Sequence, residues 1–164
     1  MRLVLASILS VLWSTAHAGE IIVDVASIHT KPTYEFTTTT TYIDRDTGKV
    51  LKTESTSEFR RYNNFNPGVG YRTDGGWMFG SYRNSYNQRT SYAGKEFMFT
   101  DNFGAILALG TGYKEETGRT LQPIAGLEYK VRLGGGYTAN FVASPPLFRP
   151  NTAGFLHLAI SKSI

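Results

Sequence analysis

The chain has 164 residues, with 17 Lys plus Arg against 13 Asp plus Glu, a formal net charge of +4 and no cysteine. That length allows one domain, and the lack of Cys excludes a disulfide scaffold, a thiolate metal site and a cysteine nucleophile. No basic cluster is dense enough for a nucleic-acid track, and 10 Tyr, 10 Phe and 17 Gly favour strands over helices.

Met1 and Arg2 give a positive start, residues 3–13 form an apolar run, and Ala16-His17-Ala18 is a small-residue cleavage site. This is the pattern of a secretory signal peptide over 1–18, too short to span a bilayer as a helix. From residue 19 onward no stretch holds a 3.6-residue apolar period, and alternation prevails. Eight strands are predicted, at 20–30, 67–73, 76–84, 90–99, 102–112, 120–133, 136–143 and 154–163. Most approach the length that a tilted membrane strand needs.

Between the first two strands lies a polar segment, 31–62, with threonine at every position of 37–41 and an Asp46-Thr47-Gly48 centre. It reads as an extra hairpin projecting beyond the main sheet, or else as a disordered loop. Asp74-Gly75 reads as a two-residue hairpin turn, and Gly134-Gly135-Gly136 as another turn. Glu115 and Glu116, beside Lys114 and Arg119, read as a solvated loop.

The strand at 102–112 is apolar on both faces. The last strand places Leu156, Leu158 and Ile160 on one face and His157, Ala159, Ser161 and Ser163 on the other. A membrane barrel needs an apolar band outside and tolerates polar groups inside, and closure removes the strand edges that an open sheet must protect. The expected fold is all-β: an eight-stranded antiparallel transmembrane β-barrel over 19–164, with 31–62 as a long polar first extracellular loop.

Candidate chemistry is sparse. No H-x-x-H or paired-Cys pattern supports a metal, and no Gly-rich loop opens a helix to cradle phosphate, so no cofactor or metal is expected. His29 ends the first strand, and His157 lies on the non-lipid face of the last. Ser85 follows the third barrel strand. Antiparallel counting brings His29 and Ser85 to one rim, the extracellular one, because both mature termini of an even-stranded barrel lie on the periplasmic side. A serine hydroxyl needs a nearby base to become nucleophilic.

The run Tyr62-Asn63-Asn64-Phe65-Asn66-Pro67-Gly68-Val69-Gly70, then Tyr82-Arg83-Asn84-Ser85-Tyr86-Asn87, then Ala93-Gly94, resembles the PagP family of lipid A palmitoyltransferases. Pro123 and Ser144-Pro145-Pro146 resemble its proline-bearing strand ends. The resemblance implies an outer-membrane barrel with lipid A and phospholipid as partners and His29, Asn84 and Ser85 as catalytic residues. Lateral lipid access would run past Pro67, Pro145 and Pro146, since proline gives the sheet no hydrogen bond. The chain departs from the family at Asn84, where the family has an aspartate, and at Glu96, where it has a glycine flooring the acyl pocket. The family's amphipathic N-terminal helix is also missing. A carboxylate beside a hydrocarbon chain is costly unless protonated or paired. The expectation is a monomeric outer-membrane acyltransferase or acyl hydrolase acting on lipid A or phospholipid. The alternative is a non-enzymatic outer-membrane barrel whose extracellular loop binds or shields surface components.

Overall fold

The computed structural model describes residues 19–146 and 153–164, so the predicted signal peptide, 1–18, lies outside the described residues. The strands are β1 Gly19–His29, β2 Thr33–Ile43, β3 Val50–Arg61, β4 Phe65–Thr73, β5 Trp77–Arg83, β6 Arg89–Met98, β7 Phe103–Gly110, β8 Gln122–Gly134, β9 Tyr137–Ser144 and β10 Phe155–Ser163, with a single helical turn α1 at Lys114–Thr117. Eight of them close into a barrel in the order β1-β10-β9-β8-β7-β6-β5-β4. Every neighbouring pair is antiparallel. The predicted eight-stranded barrel is therefore the fold.

Successive strand residues point to opposite faces, and this sequence sorts them with polar groups inside. Ile21, Val23, Val69, Phe79, Leu107 and Leu127 are exposed on the outer wall, whereas Asp24, Arg72, Glu96, Glu128 and Asn140 are buried in the lumen. An apolar exterior around a polar interior is the reverse of a water-soluble barrel and is compatible with an outer-membrane protein.

The two ends of the barrel differ. One carries the short turns at 74–76, 99–102 and 135–136, together with Gly19, whose carbonyl accepts from Ile164 N at 3.0 Å. The other carries the long connections at 30–64, 84–88, 111–121 and 145–154. The turn after β4 has three residues rather than the predicted two. Gly76 N donates to Thr73 O at 2.9 Å, and Gly76 sits at φ +78°. A turn closed by a left-handed residue is the usual three-residue hairpin solution.

The 31–62 segment is a hairpin, β2 paired with β3 from Thr33↔Arg61 to Ile43↔Val50. Asp44 Oδ1 accepts from Asp46 N at 2.9 Å and Thr47 N at 2.8 Å, which shapes its tip. Hydroxyls pair across it, Thr37 with Ser57 at 2.8 Å and Thr39 with Ser55 at 3.2 Å. It shares no strand pairing with the barrel. Its base is fastened by Tyr62 N donating to Pro32 O at 3.2 Å and by the Tyr34 ring packed on Tyr62 and Tyr86 at 4.9 and 4.6 Å.

The lumen is layered. Nearest the short turns, Arg72 on β4 reaches Glu20, Glu96 and Glu128, the last at 3.3 Å, and Lys130 adds a second cation to Glu96 at 2.8 Å. The buried Glu96 carboxylate is thus paired, which removes the cost expected of it. Above this floor lie Ile22, Met78, Ile106 and Ala159. Tyr92 reaches across Gly70 and Gly80: a Cβ on these glycines would stand 2.3 and 2.7 Å from its hydroxyl, so a side chain at either would displace the ring.

Candidate functional site

A cavity of about 210 Å³ occupies the barrel, lined by His29, Ser27 and Ser85 toward the long-loop end and by Arg72 and Glu128 at the floor. Its middle wall includes Ile22, Met78, Ile106 and Val142. Eight-stranded barrels have room for side chains or for one small ligand, and no pore.

A local irregularity builds the polar upper part. Asp24 pairs with Ala159 but Ala26 pairs with Leu158, so Val25 is an extra residue against β10. That bulge puts Ser27 on the same lumenal face as Asp24, three residues away, where strict alternation would have turned it outward. On the other side of β1 the same shift sets Asn66 and Pro67 against Val25, because Asp24 pairs with Gly68 and Ala26 with Phe65.

Ser27 Oγ donates to Asn66 Oδ1 at 2.5 Å and lies 3.2 Å from Ser85 Oγ. Asn66 Nδ2 donates to Arg83 O at 3.0 Å, which fixes the orientation of the amide. Ser85 itself rides on the 84–88 loop, whose backbone carbonyl at Ser85 accepts from Asn63 N at 2.7 Å. The turn after the hairpin and the loop after β5 are therefore tied together at the cavity mouth.

Asn84 has a different place from the one expected. Its Nδ2 donates to Gly112 O at 2.8 Å and Thr90 Oγ1 at 3.1 Å, and its Oδ1 accepts from Tyr86 N at 3.0 Å and Gln88 N at 2.9 Å. The amide has no group left to hold an ester carbonyl, and Asn84 does not line the cavity. It shapes the loop that presents Ser85. The amide is needed there: a carboxylate has no N–H to give Gly112 O and Thr90.

His29 and Ser85 share the long-loop end, as counting predicted, and both line the cavity. No hydrogen bond joins them among the described residues. The His29 ring stacks on Tyr62 at 4.2 Å with 5° between planes, and its Nδ1 lies 3.3 Å from Asn64 Oδ1. Deeper in the lumen, His157 Nε2 lies 3.0 Å from Asp24 Oδ1. Ser27 and His157 are register partners across β1 and β10. Sequence reasoning did not assign roles to Asp24, Ser27, Asn66 or Arg72. The available signal was topological: Asp24 is the one charge inside the first strand, and closure pairs that strand with the last, which holds His157.

Of the three prolines proposed for lipid access, Pro145 lines the cavity, whereas Pro67 and Pro146 do not. Pro67 is exposed on the outer face of β4, beside the irregular β1–β4 pairing. Pro145 and Pro146 are exposed just after β9.

Above the mouth, Tyr62, Tyr86 and Tyr113 form a chain of rings, with centroids 5.5 and 6.0 Å apart. Burial, reinforced by Tyr62, pushes the Tyr86 hydroxyl well above the ordinary tyrosine pKa, so it stays protonated. Glu116 corrects the solvated-loop reading: it is half-buried, and its Oε2 is sequestered with no hydrogen-bond partner among the described residues. Burial raises its pKa, and the neighbouring charge of Glu115 adds to the shift against its own backbone N–H. No group of three or more acidic, His or Cys side chains suited to a metal occurs among the described residues.

The arrangement offers two hydroxyls in contact, two histidines in different settings and an apolar-walled cavity beneath them. A comparison with models of known protein families finds no match, and a comparison with curated proteins finds none either.

Proposed function

We propose that the protein is an outer-membrane barrel that takes the acyl chain of a lipid into its lumen and acts on the adjoining ester, as an acyltransferase or acyl hydrolase. The observation that carries this is the cavity itself: apolar in its middle, with Ser27, Ser85 and His29 at one mouth. The apolar section suits a short stretch of acyl chain, which would set its ester at the level of the hydroxyls. Phospholipid and lipid A are the partners, and the order of motifs shared with the PagP-like barrels supports the same reading. Pro67 gives the sheet no hydrogen bond and lies beside the irregular β1–β4 pairing, which makes this part of the wall a candidate lateral entry for lipid.

Ser85 serves as nucleophile or as the hydroxyl that orients the ester. The base is His29 once its ring leaves Tyr62 and Asn64, or His157, already oriented by Asp24. The test is mass spectrometry of lipid A and phospholipids from cells with and without the protein, repeated with Ser85→Ala. A new acylation or deacylation product that vanishes in the variant supports the reading, and identical lipid profiles in all three samples reject it.

A second reading rests on a separate observation. The β2–β3 hairpin stands clear of the barrel sheet with nearly every side chain exposed. A projecting, exposed hairpin suits recognition or shielding at the cell surface. Removing it while retaining the barrel separates the two readings, since lipid chemistry would survive and surface binding would not.

A further inference from the structure

We infer that the outer wall of β5 and β6 carries a binding site for the phosphate of a lipid headgroup, formed by Arg83 and Arg89. The inference rests on the membrane placement proposed above and is independent of any catalysis.

The wall changes character in steps toward the long-loop end. Phe79 pairs with Ala93, then Ser81 with Ser91, then Arg83 with Arg89. Four residues of strand, about 13 Å, take the surface from apolar through hydroxyl to guanidinium. The hydroxyl level continues just past the end of β7, where Thr111 Oγ1 accepts from Ser91 N at 3.0 Å. A graded boundary of this kind marks the depth where hydrocarbon gives way to headgroups.

Arg83 and Arg89 are direct cross-strand partners, and both are exposed. Like charges facing each other on neighbouring strands oppose pairing, yet neither arginine has an acidic partner within ion-pair distance among the described residues. Glu115 is engaged instead by Gln88, whose Nε2 donates to its Oε2 at 3.4 Å. Arg89 Nε donates to Ser81 Oγ at 3.1 Å, which lays the guanidinium along the wall and leaves its terminal nitrogens without a partner among the described residues. A phosphate between the two forks cancels the repulsion and accepts paired hydrogen bonds from each.

Free phosphate and a lipid headgroup share this chemistry. The apolar surface directly below, Phe79, Ala93 and Leu109, favours the lipid, because acyl chains cover it while the phosphate stays at the arginines. The position also suits the rim: Arg83 O accepts from Asn66 Nδ2, and two residues further on lies Ser85. A lipid anchored here is held beside the cavity mouth.

The experiment is a titration of the purified barrel in neutral detergent micelles with diphosphorylated lipid A, dephosphorylated lipid A and inorganic phosphate. Diphosphorylated lipid A should bind, and Arg83→Gln with Arg89→Gln should weaken it by about tenfold per arginine. Arg→Lys at both positions should recover part of the affinity, and Arg132→Gln, at the opposite end, should change nothing. Heat-modifiable gel mobility checks that the variants are folded, and the single variants serve if the double variant is not. Equal affinity for dephosphorylated lipid A, unchanged affinity in folded Arg→Gln variants, or inorganic phosphate binding as tightly as the lipid would each overturn the inference. Unaltered cellular lipid profiles alongside phosphate-dependent binding would instead reject only the acyl chemistry.

Discussion

His157 Nε2 lies 3.0 Å from Asp24 Oδ1 across the seam where the last barrel strand meets the first, joining positions 133 residues apart. Asp24 is buried in the lumen, at 8% exposure, and His157 is partly buried there, at 16%. The contact links β1 and β10 from inside, next to the bulge that turns Ser27 into the cavity.

Breaking that pair should loosen the seam. Asp24→Ala is expected to cost about 1–3 kcal/mol, because the lumenal imidazole loses its hydrogen-bond partner. Asp24→Asn should cost less, since an amide oxygen still accepts from the ring. Urea unfolding followed by the gel shift of the folded barrel measures both. A loss below about 0.5 kcal/mol for the alanine variant would show that water screens the pair.

The two serines in contact should separate structure from activity. Ser27→Ala removes the donor to the buried Asn66 Oδ1 and should destabilise by about 1–3 kcal/mol. Ser85→Ala leaves that bond in place and should change stability by less than about 0.5 kcal/mol. Any lipid-modifying activity should nevertheless disappear in Ser85→Ala. Full activity in a folded Ser85→Ala variant would remove Ser85 from the chemistry.

Glu116 makes the loop at the mouth sensitive to pH. Its carboxyl has a folded pKa above its unfolded one, so the folded state holds the proton more tightly. Stability from this group is therefore greatest below the ordinary carboxylate pKa and falls as pH rises through the window up to the raised value. Glu116→Gln should remove that decline and protect the 111–121 connection at neutral pH. Hydrogen exchange of those amides at pH 4 and pH 7 tests it. An equal pH response in wild type and variant would contradict the expectation.

The hairpin should be dispensable for folding. Replacing 33–61 with a short Gly-Ser link leaves every barrel pairing intact and removes the Tyr34 contacts at the base. The shortened barrel should keep its heat-modifiable mobility and lose no more than about 1 kcal/mol, as loop changes usually do. Failure of the shortened chain to insert would show that the hairpin guides folding.

Alternation, turn residues and length determined the barrel strands and the shared end of His29 and Ser85, and left 31–62 as a hairpin or a disordered loop until the β2–β3 pairing decided it. These follow from the two-residue period of a strand and the up-and-down order of a barrel, both local properties that a sequence displays. Tertiary structure alone decided what those residues touch. The Val25 bulge changes the facing of Ser27, and alternation carries no mark of it. Arg72 meets Glu20, Glu96 and Glu128 only because closure brings β1, β6 and β8 around one lumen. Asn84 showed the same limit: its place in the motif order implied a catalytic role, with its type a departure from the family's aspartate, but the fold surrounds its amide with Thr90, Gly112 and its own loop backbone. Periodicity sets which face a side chain points to, and closure, through contacts between residues far apart in the chain, sets its partners.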